Sequence, residues 1–348
     1  MFGAPKMTRK KSAEHKIVDA TQKRAKKALE KFRTEAVFGV SDPEILSILK
    51  QVIDYWKEES SRPAIASLCC EAVGGKPEIA DDAGVVFSLA AAATAIHDDI
   101  IDKSLQSHFV WTTFGLHGME KALLVGDLLL VKAWSTLKEV IRNFDKPTRV
   151  ADIMEDYGLI SIQICEAEFM EMSFRKRLDG DLSVREKILW NINADYEACA
   201  KTGAILGGGS DEEVSALSGV GRRLGFLLGL KDEVLDCLNI QGNLSQRLQF
   251  ESVPLPVVYA AKSSSNVQAE LQSIIQKKSI DPSEIALILG QCIDTGAFSY
   301  VYDLAKSNVN EANEMLKKIP RNPASSTLKL IVKNALKRME RLCLEYSP

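Results

Sequence analysis

Apolar and polar residues recur at helical spacing along nearly the whole chain. In segment 16–32, apolar side chains return every three or four positions between lysines, which is typical of one face of an amphipathic helix. Glycines at 74–75 and 207–209 follow such runs, where helices commonly end. No segment alternates apolar and polar residues between turn signals, as a half-buried strand does. The pattern predicts an all-α protein of roughly ten to thirteen helices, some long enough to cross a whole domain.

Several residue pairs have the spacing of a capping box, in which a side-chain oxygen accepts a hydrogen bond near the start of a helix. These pairs are Ser41–Glu44, Ser183–Glu186 and Ser210–Glu213. We therefore expect helices to begin immediately after each of these serines.

The composition is that of a soluble globular protein: of 348 residues, 46% are hydrophobic and 26% are charged. The net charge of -3 gives no general reason to expect nucleic-acid binding. The seven cysteines form no CxxC motif, so we expect reduced thiols and a cytoplasmic protein. No apolar stretch is uninterrupted over the length of a membrane span. We expect residues 1–16 to be a basic flexible tail rather than a secretory signal, and residues 17–348 to form a single all-α domain.

Two acidic clusters end long apolar runs, and each has two adjacent acids followed by a third. The first acidic cluster is Asp98, Asp99 and Asp102, and the second acidic cluster is Asp232, Glu233 and Asp236. Helix positions four apart share a face, so like charges there repel unless water or a cation compensates them. Two such clusters facing each other would form an oxygen-only site, which suits Mg²⁺ bound to substrate phosphates. The alternative is that each cluster marks a helix leaving the core for solvent.

Four segments, in order along the chain, resemble the polyprenyl synthetase family, the trans-isoprenyl diphosphate synthases. They are SRPAIASLCCEAVGG, IHDDIIDKS, FGLHGMEKALLVGDLLL and LGFLLGLKDEVLD. The resemblance covers most of the chain and implies an isoprenoid-synthase-type bundle of long helices around a central cavity, usually a homodimer. It also implies that Mg²⁺ binds the diphosphate of an allylic substrate. Ionisation of this substrate would let it condense with isopentenyl diphosphate.

The resemblance implies a ranking of the metal ligands. Asp98, Asp102 and Asp232 would be the principal ligands, and Asp99 and Asp236 would support them. Glu233 departs from the aspartate that is usual in the family but keeps the charge.

The family also needs cations for two diphosphates, and here the sequence departs from its pattern. Arg62 matches the last arginine of the family's G-K-R-x-R-P motif, but Glu59 and Ser60 stand where the lysine and first arginine would be. The arginine pair that follows the first acidic cluster in the family is missing, and Lys103 is the nearest cation. We therefore expect Arg62 and Lys103 to be the substrate-binding residues.

Lys201 and Thr202 look like the family's Lys-Thr pair for the allylic diphosphate, but the register argues otherwise. If Gly203 is the glycine of that motif, the lysine position falls on Asn191. Lys201 is then an ordinary helix-surface lysine. A gapped alignment would give it the functional role, and the sequence leaves both interpretations open.

In a chain-elongating enzyme, the residues before the first acidic cluster would set the product length. Phe87, Ala90, Ala93 and Thr94 lie in the turns that precede Asp98. Small residues there predict a deep pocket with Phe87 as its floor, and a product of C20 or longer. The alternative is that the alanines merely allow close helix packing.

The predicted function is a Mg²⁺-dependent polyprenyl diphosphate synthase-like prenyltransferase that acts on an allylic diphosphate and isopentenyl diphosphate. Its product would be geranylgeranyl diphosphate or longer, and we expect a homodimer. One alternative is a catalytically impaired paralogue that acts as the partner or regulatory subunit of a heteromer with an active synthase. Another is a class I terpene synthase-like enzyme that uses a single allylic diphosphate.

Overall fold

The computed structural model describes residues 13–345 except positions 108, 143, 145, 146 and 241. Most of the predicted tail, residues 1–12, lies outside the described residues, and residues 13–16 belong to the first helix. In the first half of the described chain the helices are α1 Ala13–Val37, α2 Pro43–Trp56, α3 Ser61–Ala72, α4 Asp81–Ile101, α5 Thr113–His117, α6 Met119–Arg142, α7 Pro147–Met172 and α8 Leu182–Ile192. In the second half they are α9 Asp195–Leu206, α10 Asp211–Cys237, α11 Leu244–Phe250, α12 Leu255–Ala261, α13 Ser265–Ile275, α14 Pro282–Asp294, α15 Ala297–Met315 and α16 Pro323–Leu344.

The all-α prediction is confirmed, but the number of helices was underestimated. The described residues contain sixteen α-helices, together with short 3₁₀ turns at Pro77–Ala80 and Leu316–Lys318. The excess comes from helices of one or two turns, such as α5, α11 and α12, which are too short for a periodic pattern. Two strands of two residues each, β1 Gln106–Ser107 and β2 Val110–Trp111, pair antiparallel between α4 and α5. They are also too short to show alternation.

One of the three predicted capping boxes is confirmed. The Ser210 hydroxyl caps α10, and Glu213 reaches back to the Ser210 backbone. The other two predictions were wrong, because the residue immediately before the helix is an aspartate in each case. Asp42 caps α2 and Asp181 caps α8, each accepting hydrogen bonds from backbone N–H groups of the first turn.

The core is organised around α4 and α10, the two helices that carry the acidic clusters. Helix α4 packs against α1, α3, α6 and α9, and α10 packs against α8, α9, α15 and α16. By length and composition alone the stretch Pro77–Ile101 could cross a membrane, yet 67% of its most apolar window is buried inside the protein. Helix α4 is covered by other helices on several sides, and a helix buried in this way can be apolar almost all round.

Candidate active site

The two acidic clusters, far apart in sequence, face one cavity. The cavity has a volume of about 450 Å³. Its acidic lining consists of Asp98, Asp99, Asp102, Asp232, Asp236 and Glu251. Gln106, Ser107 and Phe109, from the β1–β2 hairpin, complete one side of it. We call this space the acidic cavity.

The end of α4 presents the first acidic cluster to the acidic cavity. Asp98 and Asp102 lie one helical turn apart, and the Asp102 backbone N–H donates to the Asp98 carbonyl at 2.8 Å. Lys103 then adopts a left-handed conformation with φ of 55°, which ends the helix. The Ser104 backbone N–H returns to the Asp99 carbonyl at 2.8 Å. The helix therefore stops directly after its acids, with their carboxylates at its open end.

Acidic residues of α7 join the first acidic cluster, and the sequence analysis missed them. Burial and, next, the charge of Glu171 raise the pKa of Glu168 to about 8. Burial and, next, the charge of Glu168 raise the pKa of Asp98 well above its ordinary value. The pKa of Asp102 rises to about 8, again chiefly through burial and then through Asp98. The segment EAEFMEM, with three acids in an apolar run, is the sequence signal that could have revealed them.

Arg175 was also missed, and it partly compensates the first acidic cluster. It donates to Asp102 Oδ1 at 3.1 Å and to the Ile101 carbonyl at 2.8 Å. It follows α7 in the chain, so its position depends on the fold rather than on local pattern. A single arginine against several buried carboxylates leaves an excess of negative charge in this part of the cavity.

The second acidic cluster is arranged differently, because Arg247 of α11 binds two of its members. Arg247 forms buried ion pairs with Glu233 and with Asp236. Glu233 is buried and is absent from the lining of the acidic cavity, so the prediction that it ligates metal is not supported by its position. Asp232 is the exposed member, and its carboxylate lies 3.0 Å from the Lys231 Nζ.

The first acidic cluster and Asp232 fit a hard divalent cation. Their donors are carboxylate oxygens. Burial, and next the neighbouring carboxylates, raise the pKa of Asp98 and of Asp102, and a bound cation would stabilise their charged forms. Among the described residues, no three His, Cys, Asp or Glu side chains already converge as a complete metal site. Mg²⁺ typically takes one or two carboxylates and completes its shell with water and substrate phosphate.

A deep apolar cavity adjoins the acidic cavity and shares Asp98 with it. Its volume is about 390 Å³. Phe87, Ala90 and Thr94 line it as predicted, but Ala93 does not, because Ala93 is fully packed into the core. Tyr157, from α7, was missed: its ring lies 6.3 Å from the Phe87 ring and 5.2 Å from the Trp134 ring.

The predicted cations lie away from the acidic cavity. Arg62 lines the deep apolar cavity, but its guanidinium already pairs with Asp195 and lies 3.6 Å from Glu59. Lys103 turns toward the ring of Phe250, in a neighbouring cleft. The structure gives neither residue a place in the lining of the acidic cavity.

Lys201 also lies outside the lining of the acidic cavity, which favours the interpretation that it is a helix-surface lysine. Its Nζ lies 2.6 Å from Asp156 Oδ1, in a separate polar cleft beside Arg149. The residue after the alternative lysine position, Ile192, does line the deep apolar cavity. The register that places the motif position at Asn191 is therefore consistent with the fold.

An all-α fold in which an acidic cavity adjoins an apolar cavity offers a site suited to a substrate with a charged head and an apolar chain. Residues 47–292 match the model of the protein family described as Polyprenyl synthetase. The chain therefore belongs to the polyprenyl synthetase family, and it is a prenyltransferase.

Proteins similar in sequence and in structure support this assignment along most of the chain. The short chain isoprenyl diphosphate synthase of Methanothermobacter thermautotrophicus is 29% identical over 92% of this chain and 98% of its own length. The geranylgeranyl diphosphate synthase of Methanosarcina mazei is 30% identical over 73% of this chain and 78% of its own. The crystal structure of geranylgeranyl pyrophosphate synthetase from Pyrococcus horikoshii superimposes with a TM-score of 0.82, covering 94% of this chain and 99% of that one. At 23% sequence identity, that match is evidence of the fold alone.

Proposed function

We propose that the protein condenses an allylic diphosphate with isopentenyl diphosphate in a divalent-metal-dependent reaction, giving geranylgeranyl diphosphate or a longer product. The observation that carries the proposal is the position of Asp98, which lines both the acidic cavity and the deep apolar cavity. A substrate lying across this junction would have its diphosphate among carboxylate-bound ions and its prenyl chain in an apolar channel. The names of the relatives, short chain isoprenyl diphosphate synthase and geranylgeranyl diphosphate synthase, are those of enzymes that make products of this class.

In this proposal the chain's own residues position the reaction rather than perform proton chemistry. Asp98, Asp99, Asp102 and Asp232 would hold Mg²⁺. When bound, Mg²⁺ supplies the positive charge that stabilises a departing pyrophosphate. The apolar side chains beyond Asp98 exclude water from the allylic carbon, which favours carbon–carbon bond formation over hydrolysis.

One observation favours the single-diphosphate alternative. Arg62, the one cation of the family's isopentenyl diphosphate motif that the sequence keeps, is already matched by Asp195 and Glu59. Binding a second diphosphate there would require at least one of these ion pairs to open. A terpene synthase-like reaction would not require it.

Pyrophosphate release separates these functions. The protein is incubated with Mg²⁺ and allylic diphosphates of C5, C10 and C15, each with and without isopentenyl diphosphate, and again with EDTA. We expect release only when both substrates and Mg²⁺ are present. Release from an allylic diphosphate alone would support the single-diphosphate alternative. No release at high enzyme concentration would contradict both and leave the role of a non-catalytic partner subunit.

Product length should respond to two substitutions of opposite effect in the deep apolar cavity. Phe87→Ala removes a ring from the lining about three helical turns before Asp98, and we expect products at least one isoprene unit longer. Thr94→Phe adds a ring to the lining about one helical turn before Asp98, and we expect products at least one unit shorter. Mass spectrometry of the dephosphorylated alcohols measures both shifts.

The matched control for product length is Phe38→Ala, which removes an exposed ring outside the cavity. It should leave the product distribution unchanged. Identical products from Phe87→Ala, Thr94→Phe and the wild type would mean that this cavity does not hold the growing chain.

We also propose that the protein is a homodimer formed through α6 and α7. Exposed apolar side chains lie along both helices, among them Val131 and Trp134 on α6 and Ile162 and Phe169 on α7. The deep apolar cavity lies between these helices, and Trp134 is at once in its lining and 48% exposed. A second copy would cover this apolar surface and close the cavity wall, because a two-fold interface presents the same patch from both chains.

Light scattering of the purified protein tests the dimer. We expect a mass of twice 38.3 kDa for the wild type and a shift toward 38.3 kDa for the double variant V131E/I162E. Ile79→Glu, at an exposed apolar residue elsewhere, is the control and should stay dimeric. A wild-type mass of a single chain would contradict the proposal.

Cytoplasmic localisation stays a prediction from the cysteine content.

A further inference from the structure

The lining of the acidic cavity, as far as the described residues form it, includes no positively charged side chain. Its neutral hydrogen-bond donors are side chains of serine, asparagine and glutamine. A diphosphate in this cavity would present several negatively charged oxygens, and hydrogen bonds from a charged donor to such oxygens are about twice as strong as neutral ones. A cation that reached the cavity from just outside its lining would therefore strengthen binding.

Among the described residues, three cations contact carboxylates of this lining from outside it. They are Arg175 at Asp102, Lys231 at Asp232, and Arg247 at Asp236. Arg247 is 8% exposed and donates to both Glu233 and Asp236, so the protein already uses its hydrogen bonds. Lys231 lines a separate, largely apolar cleft among α1, α3, α10 and α16. Arg175 is the cation that these constraints leave.

Arg175 has donors that the protein does not use. Its Nη2 donates to Asp102 Oδ1 at 3.1 Å and to the Ile101 carbonyl at 2.8 Å. Within the described part of the chain its Nη1 has no hydrogen-bond partner, and its Nε is buried without one. Since an unpaired buried N–H group costs free energy, an arrangement that supplied acceptors to this guanidinium would be favoured.

The backbone of Arg175 is held in place, whereas its side chain can turn. The residue forms an antiparallel bridge with Ser252, which ties the segment after α7 to the segment after α11. Its side chain is long and 29% exposed. The guanidinium lies one hydrogen bond away from Asp102, which lines the acidic cavity. Rotation of the side chain alone can therefore bring its unused N–H groups to the cavity.

We propose that Arg175 is a substrate-binding residue, which turns from Asp102 to the diphosphate of the allylic substrate when that diphosphate enters the acidic cavity. The inference rests on the proposed function and names a cation for its diphosphate. Positive charge brought to Asp102 by a divalent ion repels the guanidinium and weakens its attraction to this carboxylate. The diphosphate offers new acceptors, and a guanidinium binds phosphate oxygens through two parallel hydrogen bonds.

Two binding measurements with opposite expected signs test this role without turnover. The full-length wild type and Arg175→Gln are titrated with Mn²⁺ alone, followed by electron paramagnetic resonance, and with inorganic pyrophosphate at saturating Mn²⁺, followed by calorimetry. We expect Mn²⁺ alone to bind R175Q at least as tightly as the wild type, because a neighbouring positive charge is removed. Pyrophosphate should bind about tenfold or more weakly, because charge-assisted hydrogen bonds are lost.

Two further variants complete the test. Arg177→Gln is the matched control, because Arg177 lies in the same segment, is exposed and pairs with Asp179 outside the acidic cavity. It should change neither affinity. Arg175→Lys keeps the charge but loses the planar guanidinium, so we expect pyrophosphate binding about threefold weaker than in the wild type.

The outcomes separate the inference from the proposed function. Pyrophosphate binding by R175Q as tight as that of the wild type would overturn the inference while leaving a metal-dependent enzyme. Weaker binding of both Mn²⁺ alone and pyrophosphate would also overturn it, because Arg175 would then only support the structure of the site. If R175Q does not fold, R175K decides, and unchanged pyrophosphate binding would overturn the inference. A wild type that binds no pyrophosphate with Mn²⁺ would overturn both the inference and the proposed function.

Discussion

Asp98→Asn is expected to lower prenyl transfer by about 10³-fold while leaving the fold intact, because the proposed role of Asp98 is to hold a metal ion that stabilises transition-state charge. Asparagine has the size of aspartate but lacks the charge that holds a divalent ion. Asp98 lies where the acidic cavity meets the deep apolar cavity, so no other acid of the first acidic cluster can take over its position. Steady-state kinetics at saturating Mg²⁺ measure the loss.

The same substitution should raise thermal stability in the absence of metal. Asp98 is buried beside Glu168 and near other carboxylates, so removing its charge relieves like-charge repulsion. Activity and stability thus move in opposite directions, as expected where a site is built for function rather than for stability. Asp303→Asn, at an exposed position on α15, is the control and should change neither. More than about a tenth of wild-type activity in Asp98→Asn would contradict the role of this residue.

Gly203→Ala is expected to destabilise the protein by about 3 kcal/mol, at the upper end of the usual overpacking cost. A Cβ at Gly203 would overlap the carbonyl oxygen of Ala66 and lie 2.9 Å from its carbonyl carbon. These are backbone atoms of α3, which a side-chain rotation cannot move. Helices α3 and α9 would have to separate, and they carry Arg62 and Asp195 into the wall of the deep apolar cavity.

The control for this substitution is Gly290→Ala on α14. A Cβ there meets no atom within 4 Å, so alanine should be neutral or stabilising by up to about 1 kcal/mol. Urea denaturation curves give both values. Equal stability of Gly203→Ala and Gly290→Ala would contradict the close packing of α3 against α9.

Sequence patterns predicted the parts of this site that depend on local geometry. The spacing of Asp98 and Asp102 places them on one face of a helix, and the same holds for Asp232 and Asp236. The repeat of the same acidic pattern also suggested that the two clusters face each other, and members of both line the acidic cavity. Phe87 and Thr94 also followed from helical position, since both lie on the face of α4 that carries Asp98 toward the cavity.

Such patterns do not predict contacts between residues that are distant in sequence. Nothing local shows that Arg247 pairs with Glu233, that Glu168 faces Asp98, or that Arg62 is held by Asp195. Ala93 was assigned to the pocket because its neighbours line it, although its own direction on α4 points into the core. Each miss concerns the face of a helix that meets a partner distant in sequence, which only the fold decides.

The most direct test of the proposed function is the product made by the wild-type protein. Labelled isopentenyl diphosphate, Mg²⁺ and a C15 allylic diphosphate are incubated with the purified chain, and the dephosphorylated products are separated by length. We predict incorporation of label into alcohols of C20 or longer, and none when EDTA is present. The absence of elongated product from C5, C10 and C15 substrates alike would contradict the proposal that this chain is an active synthase.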